Sequence, residues 1–406
     1  MAKKLITTAL LLVFLACGAW LNIAQNFGEI ADDFEAYILD SEQLLTSWTD
    51  FVAETNQTIE TKAAHKYTAL EAYGLVQTLL MKNEVGNFAV VKDQADQLHY
   101  TYFTNGPNDV SQLAARMGRL NQVVKGKGAQ LIYLMTPDKY ERGVTQFSRG
   151  MPYNYANETA DDFLNQLAAY QIDYIDFRAL LQEDGLSTAE VFYQTDHHWT
   201  TETTFWAYVH LVQEMEERYG WEFLDKEFVT NPDHFNQIVY EDAYLGSMGR
   251  SVGYSYAGGV EDFTLIYPKF TTDFHIYEES SVNQAIQRQG RFEESIINTS
   301  VLLDYDDPYD VMGDKYFAYM DGNPSVVQIT HLDEAAANEP SVLFIKDSMI
   351  VPVASFFSLG TESTTLVDPR YYGGSIEEII EEGDFDYVFV TYTPQNLTEE
   401  FFPFYE

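Results

Sequence analysis

Hydrophobic and polar positions change rhythm twice along the chain. Lys3 and Lys4 precede an uncharged, apolar run over residues 5–24, and the first acid is Glu29. About 20 such residues cross a bilayer core as a helix. The basic pair stays on the cytoplasmic side, so the body of the protein would lie outside the membrane. The small residues Ala16, Cys17, Gly18 and Ala19 also suit a cleavable signal peptide or a lipoprotein-type cleavage box. Every version exports the body, and residues 1–24 read as a signal anchor or signal peptide. Over 25–85, apolar residues recur three and four apart, as in Ile30, Phe34, Tyr37, Ile38 and Leu44, Leu45, Trp48, Phe51, Val52. That period predicts a helical stalk or packing region.

From residue 86 the texture alternates. Short apolar runs at 88–91, 131–135, 172–177, 342–345, 365–367 and 387–390 predict strands, and helical patterns at 110–124, 161–170, 201–219 and 375–382 lie between several of them. Such alternation predicts an α/β domain over 86–406, built on a doubly wound parallel sheet. Between about 221 and 340 the rhythm is lost in a stretch rich in Gly, Tyr, Asn and Asp. This reads as a loop-rich insertion, and insertions at the carboxyl ends of parallel strands commonly border the ligand crevice.

Composition narrows the partners. The 406 residues are 46% hydrophobic and 21% charged, a balance that predicts a folded chain. Lys and Arg number 23 against 63 Asp and Glu, a net charge of −40. Such a field repels phosphate backbones, and the basic residues are too scattered to form a groove, so no nucleic-acid partner is expected. Cys17 is the only cysteine, which excludes an intramolecular disulfide framework and thiolate zinc clusters. The 29 Tyr and 27 Phe suit sugar stacking as well as ordinary packing.

The densest polar cluster is Thr195-Asp196-His197-His198-Trp199. An Asp two positions before a His can orient its imidazole as a general base. The same residues also suit a helix start, with Asp196 or Thr200 as the cap. A nucleophile for such a base is Ser348, which follows the apolar run Ser341-Val342-Leu343-Phe344-Ile345 and Lys346-Asp347 and precedes a helical pattern. A serine at a strand-to-helix turn lies where strand ends meet a cleft, beside backbone N–H groups able to hold an oxyanion. A plain serine cap would look the same. The other six histidines stand singly, so no metal site or cofactor is expected.

The two blocks, Thr195 to Trp199 and Phe344-Ile345-Lys346-Asp347-Ser348, resemble the DHHW protein family of bacteria, which is related to the periplasmic alginate O-acetylation proteins with an SGNH-hydrolase-like domain. The resemblance runs from about residue 86 to the C-terminus. It implies an SGNH-hydrolase-like fold with circularly permuted motif order, so that the Asp and His precede the Ser, as they do here. It also implies Ser348 as nucleophile, His198 as general base, Asp196 as its orienting carboxylate and a non-catalytic His197. Tyr244-Leu245-Gly246-Ser247, Asp368-Pro369-Arg370-Tyr371-Tyr372 and Thr393-Pro394-Gln395-Asn396-Leu397 look like further family segments. They nominate Gly246, Ser247 and Asn396 as oxyanion donors and Arg370 and Tyr371 as substrate contacts. Lys346 stands where a Gly commonly opens the serine block.

The implied activity is O-acetyl transfer, through an acetyl-serine, to a cell-surface or secreted polysaccharide. A membrane-bound O-acyltransferase would supply the acetyl group. A carbohydrate esterase, or a non-catalytic glycan-binding subunit of such a system, would use the same fold. The charge of −40 favours a neutral acceptor over an anionic one.

Overall fold

The computed structural model describes residues 2–28, 30, 31, 34, 52, 55, 65–102, 104–151, 153–279, 285–303, 309, 310 and 313–405. The chain divides into two compact units, Met1–Tyr73 and Gly74–Glu406. In the first, Ala2–Gln25 forms a 24-residue helix, α1. Many side chains of α1 fall outside the described set, and among the described residues no helix is long and apolar enough to cross a membrane. The stalk positions Tyr37, Ile38, Leu44, Leu45, Trp48 and Phe51 also lie outside the described residues. A helix, α2, spans Lys66–Leu79.

The second unit is organised by an eight-stranded sheet. Its strands are β4 (Gln130–Met135), β5 (Asp173–Asp176), β8 (Phe274–Glu279), β9 (Ile286–Gly290), β10 (Val326–His331), β11 (Ser341–Lys346), β12 (Ser363–Val367) and β13 (Tyr387–Tyr392). The order across the sheet is β5-β4-β13-β11-β12-β10-β8-β9. Outside it, β1 (Glu84–Val85), β2 (Val90–Lys92) and β3 (Leu98–Tyr100) form a small sheet, and β6 (Phe235–Tyr244) pairs with β7 (Glu261–Pro268) as a ribbon.

The sheet is mixed, which corrects the expectation of a parallel one. From β5 to β12 every pairing is parallel, but β12–β10, β10–β8 and β8–β9 are antiparallel. Parallel pairs need long crossovers, which the alternating segments supply, whereas antiparallel neighbours need only short connections. The stretch from 221 to 340 contributes β6 to β10, and three of these five strands extend the main sheet.

Side chains alternate across the sheet with the period of two that strands impose. Leu131, Tyr133 and Met135 face α3 (Ser111–Gly126) and α4 (Ala156–Ala169), whereas Ile132 and Leu134 join the opposite core with α5 (Thr201–Tyr219) and α7 (Val351–Phe357). Between those two in chain order comes α6 (Ser247–Val252), and α8 (Ile376–Glu382) precedes β13. Helix α5 starts and stops where its sequence directs. The Thr200 hydroxyl accepts from the Thr203 N–H, and Gly220 closes the helix at φ +71°. Within the α5 and α7 core, Phe356 meets the rings of Phe205, Tyr208, Phe235, Phe292 and Tyr319, all at centroid separations of 6.1 Å or less.

Because Phe356 is fully buried at the centre of five rings, Phe356→Ala is expected to lower unfolding stability by about 3–5 kcal/mol, measured by urea denaturation of the purified chain. A loss under about 1 kcal/mol would show that this cluster does not carry the core.

Candidate active site

Three parallel strands end together. Register pairs Met135 with Tyr392, and Lys346 with Thr391, so the loops after β4, β11 and β13 emerge at one edge. This is the crevice where ligands of α/β sheets bind.

Ser348 opens a short 3-10 turn directly after β11 and Asp347. The buried Asp347 carboxylate accepts from the Met349 N–H at 3.0 Å, the Thr393 N–H at 3.0 Å and Asn396 Nδ2 at 2.8 Å. These bonds pin the serine turn to the end of β13. Burial raises the Asp347 pKa, against the pull of those same bonds. The Ser348 N–H has no acceptor among the described residues.

The Asp-His-His-Trp cluster is an irregular loop clipped at its ends by the bridge between Phe192 and Trp199. Trp199 is fully buried and its Nε1 donates to the Met349 carbonyl at 2.8 Å, tying this loop to the serine turn. His198 Nε2 lies 2.8 Å from Ser348 Oγ, and His198 Nδ1 lies 2.7 Å from Asp196 Oδ1. A carboxylate can only accept, so Nδ1 carries the proton and Nε2 presents a lone pair to the serine hydroxyl. Tyr316 stacks on His198 at 3.7 Å and 14°, with its hydroxyl 3.3 Å from the carbonyls of Ser348 and Met349.

Asp196 is itself held from all sides. Its Oδ1 also accepts the His198 N–H at 3.0 Å and lies 3.1 Å from His197 Nδ1, while its Oδ2 accepts the Ser247 N–H at 2.5 Å. Burial opposes ionisation of Asp196, but the two imidazoles outweigh it and hold the carboxyl well below its usual range. Burial, reinforced by the neighbouring His197 imidazole, brings His198 down to about 4 against the opposing pull of Asp196. His198 is therefore a neutral base at pH 7. Beneath the loop, the buried Lys139 ammonium donates to the carbonyls of Tyr193, Gln194 and Asp196 at 2.5, 2.9 and 2.8 Å, and burial pushes it down to about 7. Asp138 beside it is raised to about 6, chiefly by burial.

The other nominated residues sit elsewhere in the scheme. The Gly246 N–H donates to Thr195 Oγ1 at 2.8 Å and the Ser247 N–H to Asp196, so both amides are engaged in placing Asp196 and neither is an oxyanion donor. A Cβ on Gly246 would lie 2.4 Å from Asp196 Cβ and 2.6 Å from the Thr195 carbonyl, which accounts for glycine there. Asn396 is brought beside the serine turn through Asp347. Arg370 is not brought to the triad. It grips Asp368 through Nε at 3.0 Å and a terminal nitrogen at 2.7 Å, and lies over the rings of Tyr371 and Phe401. Tyr371 is exposed. Lys346 is buried and bonds Asn323 and the Pro324 carbonyl. Sequence reasoning missed Tyr316, which nothing in its neighbourhood marks. It also missed Lys139, whose only signal was its place just past the end of β4.

Asp196, His197 and His198 have donor atoms close enough together to hold a metal ion. The nitrogen-to-carboxylate separations of 2.7 and 3.1 Å are hydrogen-bond lengths, and His198 turns its other nitrogen to Ser348. The set fits a proton relay better than a cation.

Residues 99–235 match the family described as SGNH hydrolase-like domain, acetyltransferase AlgX. Over those residues the chain is similar to an acetyltransferase-like SGNH domain. The matched stretch contains Asp196 and His198 and stops short of Ser348, so the serine is joined to it by the fold alone. Among solved structures, PatB1 of Bacillus cereus, determined with a sulfonyl adduct, superposes with a TM-score of 0.60 at 18% identity over 78% of this chain and 97% of that one. A DHHW family protein from Eubacterium siraeum superposes at 0.53 with 17% identity, over 76% and 91%. Both show the fold, and with the family match they bear out the DHHW and AlgX resemblance. No curated protein matches the chain in sequence.

The His198 environment sets a pH profile. Because its pKa in the folded chain is lowered to about 4, the base form persists well below the ordinary value near 6.5. The rate of acylation by a small acetyl ester is expected to stay level from pH 7 to about 5 and fall as pH passes through about 4. A fall centred near 6.5 would contradict this environment.

Proposed function

We propose that this chain is an extracytoplasmic, membrane-tethered serine O-acetyltransferase that acetylates hydroxyls of a cell-surface or secreted polysaccharide. One observation carries the reading: Asp196, His198 and Ser348 lie in one relay, with contacts of 2.7 and 2.8 Å. The apolar run of residues 5–24 after Lys3 and Lys4 supports the tether.

The chemistry proceeds in two halves. Ser348 Oγ attacks the acetyl carbonyl of a donor while its proton passes to His198 Nε2, and the Asp196 carboxylate stabilises the imidazolium. The Ser348 N–H, with the second N–H of Asn396 Nδ2, receives the oxyanion. Collapse expels the donor's leaving group with that proton and leaves acetyl-Ser348. An acceptor hydroxyl then attacks, giving its proton to His198, which returns it to Ser348 Oγ as the ester bond breaks. A membrane-bound O-acyltransferase is the proposed source of the acetyl group. The charge of −40 favours a neutral glycan over an anionic one as acceptor.

Ser348→Ala is expected to reduce acetyl release from a chromogenic ester by about 10⁴-fold and to abolish polysaccharide acetylation in cells. Acetylation that persists in cells carrying Ser348→Ala would assign the chain a non-catalytic, scaffolding role instead.

A further inference from the structure

Asp196 orients two imidazoles, and only one of them is accounted for by the relay. His197 Nδ1 lies 3.1 Å from Asp196 Oδ1 and 3.2 Å from Ser247 Oγ. A carboxylate oxygen 3.1 Å away favours the tautomer with the proton on Nδ1, and in the neutral ring that tautomer leaves the lone pair on Nε2. That Nε2 has no protein partner among the described residues and is not sealed from solvent. The His197 side chain is 28% exposed against 9% for His198.

His197 is nevertheless a fixed group. Its ring lies 3.9 Å from that of His198 and 5.7 Å from that of Tyr100, and the Tyr100 hydroxyl approaches Ser247 Oγ at 3.4 Å. A bonded imidazole with one nitrogen open, next to the base that serves the nucleophile, is suited to receive a donor from the cleft. The leaving half of the reaction brings only one class of molecule there with O–H groups on adjacent carbons, the acceptor glycan.

We propose that His197 is the acceptor-binding residue of this enzyme: its Nε2 accepts a hydrogen bond from a hydroxyl vicinal to the attacking one, and so selects a polyol over water. This rests on the transferase reading above. His197 takes no proton from the attacking group; that proton still passes to His198. Its contribution is orientation, which can supply a large part of a rate when the reacting atoms are held in line.

The test separates the two nitrogens. His197→Asn keeps an amide N–H where Nδ1 meets Asp196 but has nothing at the Nε2 position, whereas His197→Gln restores a polar atom there. Full-length protein is acylated with a chromogenic acetyl ester, and acetyl is partitioned between water and either cellopentaose or chitopentaose. For His197→Asn, acylation is expected to fall by no more than about threefold, while transfer relative to hydrolysis falls at least about 30-fold with a raised acceptor KM. His197→Gln should recover part of the transfer. Equal losses in acylation and transfer would make His197 a mere support for Asp196 and overturn the proposal, as would unchanged partition. A wild-type enzyme that acylates but transfers to neither sugar would overturn the transferase reading and this role together. Wild-type transfer with unchanged partition in His197→Asn would overturn this role alone.

Discussion

The site depends on one buried carboxylate that can accept hydrogen bonds but not donate them. Asp196 is 1% exposed, and an ion so placed persists only if its lone pairs are met. They are met by the Ser247 N–H, the His198 N–H and His198 Nδ1, with His197 Nδ1 a further 3.1 Å contact. That acceptor-only character fixes the tautomer of His198 and favours the same one in His197, leaving the other nitrogen of each ring for further partners. One of these reaches Ser348. The rest of the neighbourhood keeps Asp196 in place: Glu261 receives the Thr195 N–H and hydroxyl at 2.7 and 2.5 Å, Lys139 gathers three carbonyls from below, and Gly246 leaves room for the carboxylate.

The relay also needs two distant segments to hold register, since His198 and Ser348 are 150 residues apart. Trp199 and Tyr316 supply it. The indole donates to the Met349 carbonyl, and the phenol stacks on His198 while its hydroxyl meets the Ser348 and Met349 carbonyls. Asp347 fastens the same turn to the end of β13. The nucleophile is thus held from three directions by groups that take no part in proton transfer, the support a functional constellation requires.

Much of this was legible in the sequence, for reasons of period. Runs such as 131–135 and 342–345 read as strands because both faces of a central strand are buried, and helix 201–219 showed in its three-and-four period. The Asp196 to Trp199 cluster stood out because paired histidines beside an acid are chemically conspicuous. The antiparallel half of the sheet was not legible. Strands such as Ile286–Gly290 are partly exposed edge elements with no apolar run, so no hydrophobic signal marks them. The amides of Gly246 and Ser247 lie in the expected neighbourhood but meet Thr195 and Asp196, because sequence shows that an amide is nearby and not which acceptor it meets. Tyr316 and Lys139 act through main-chain carbonyls, which leave no trace in residue identity.

The account stands on the reactivity that Asp196 and His198 confer on one hydroxyl. The direct measurement is covalent labelling of the full-length protein at pH 7 with a serine-directed fluorophosphonate, with the modified peptide mapped by mass spectrometry in wild type and in His198→Ala. Modification confined to Ser348, and lost in His198→Ala, is the result expected. Modification at another residue, or equal labelling of Ser348 without the imidazole, would contradict the relay.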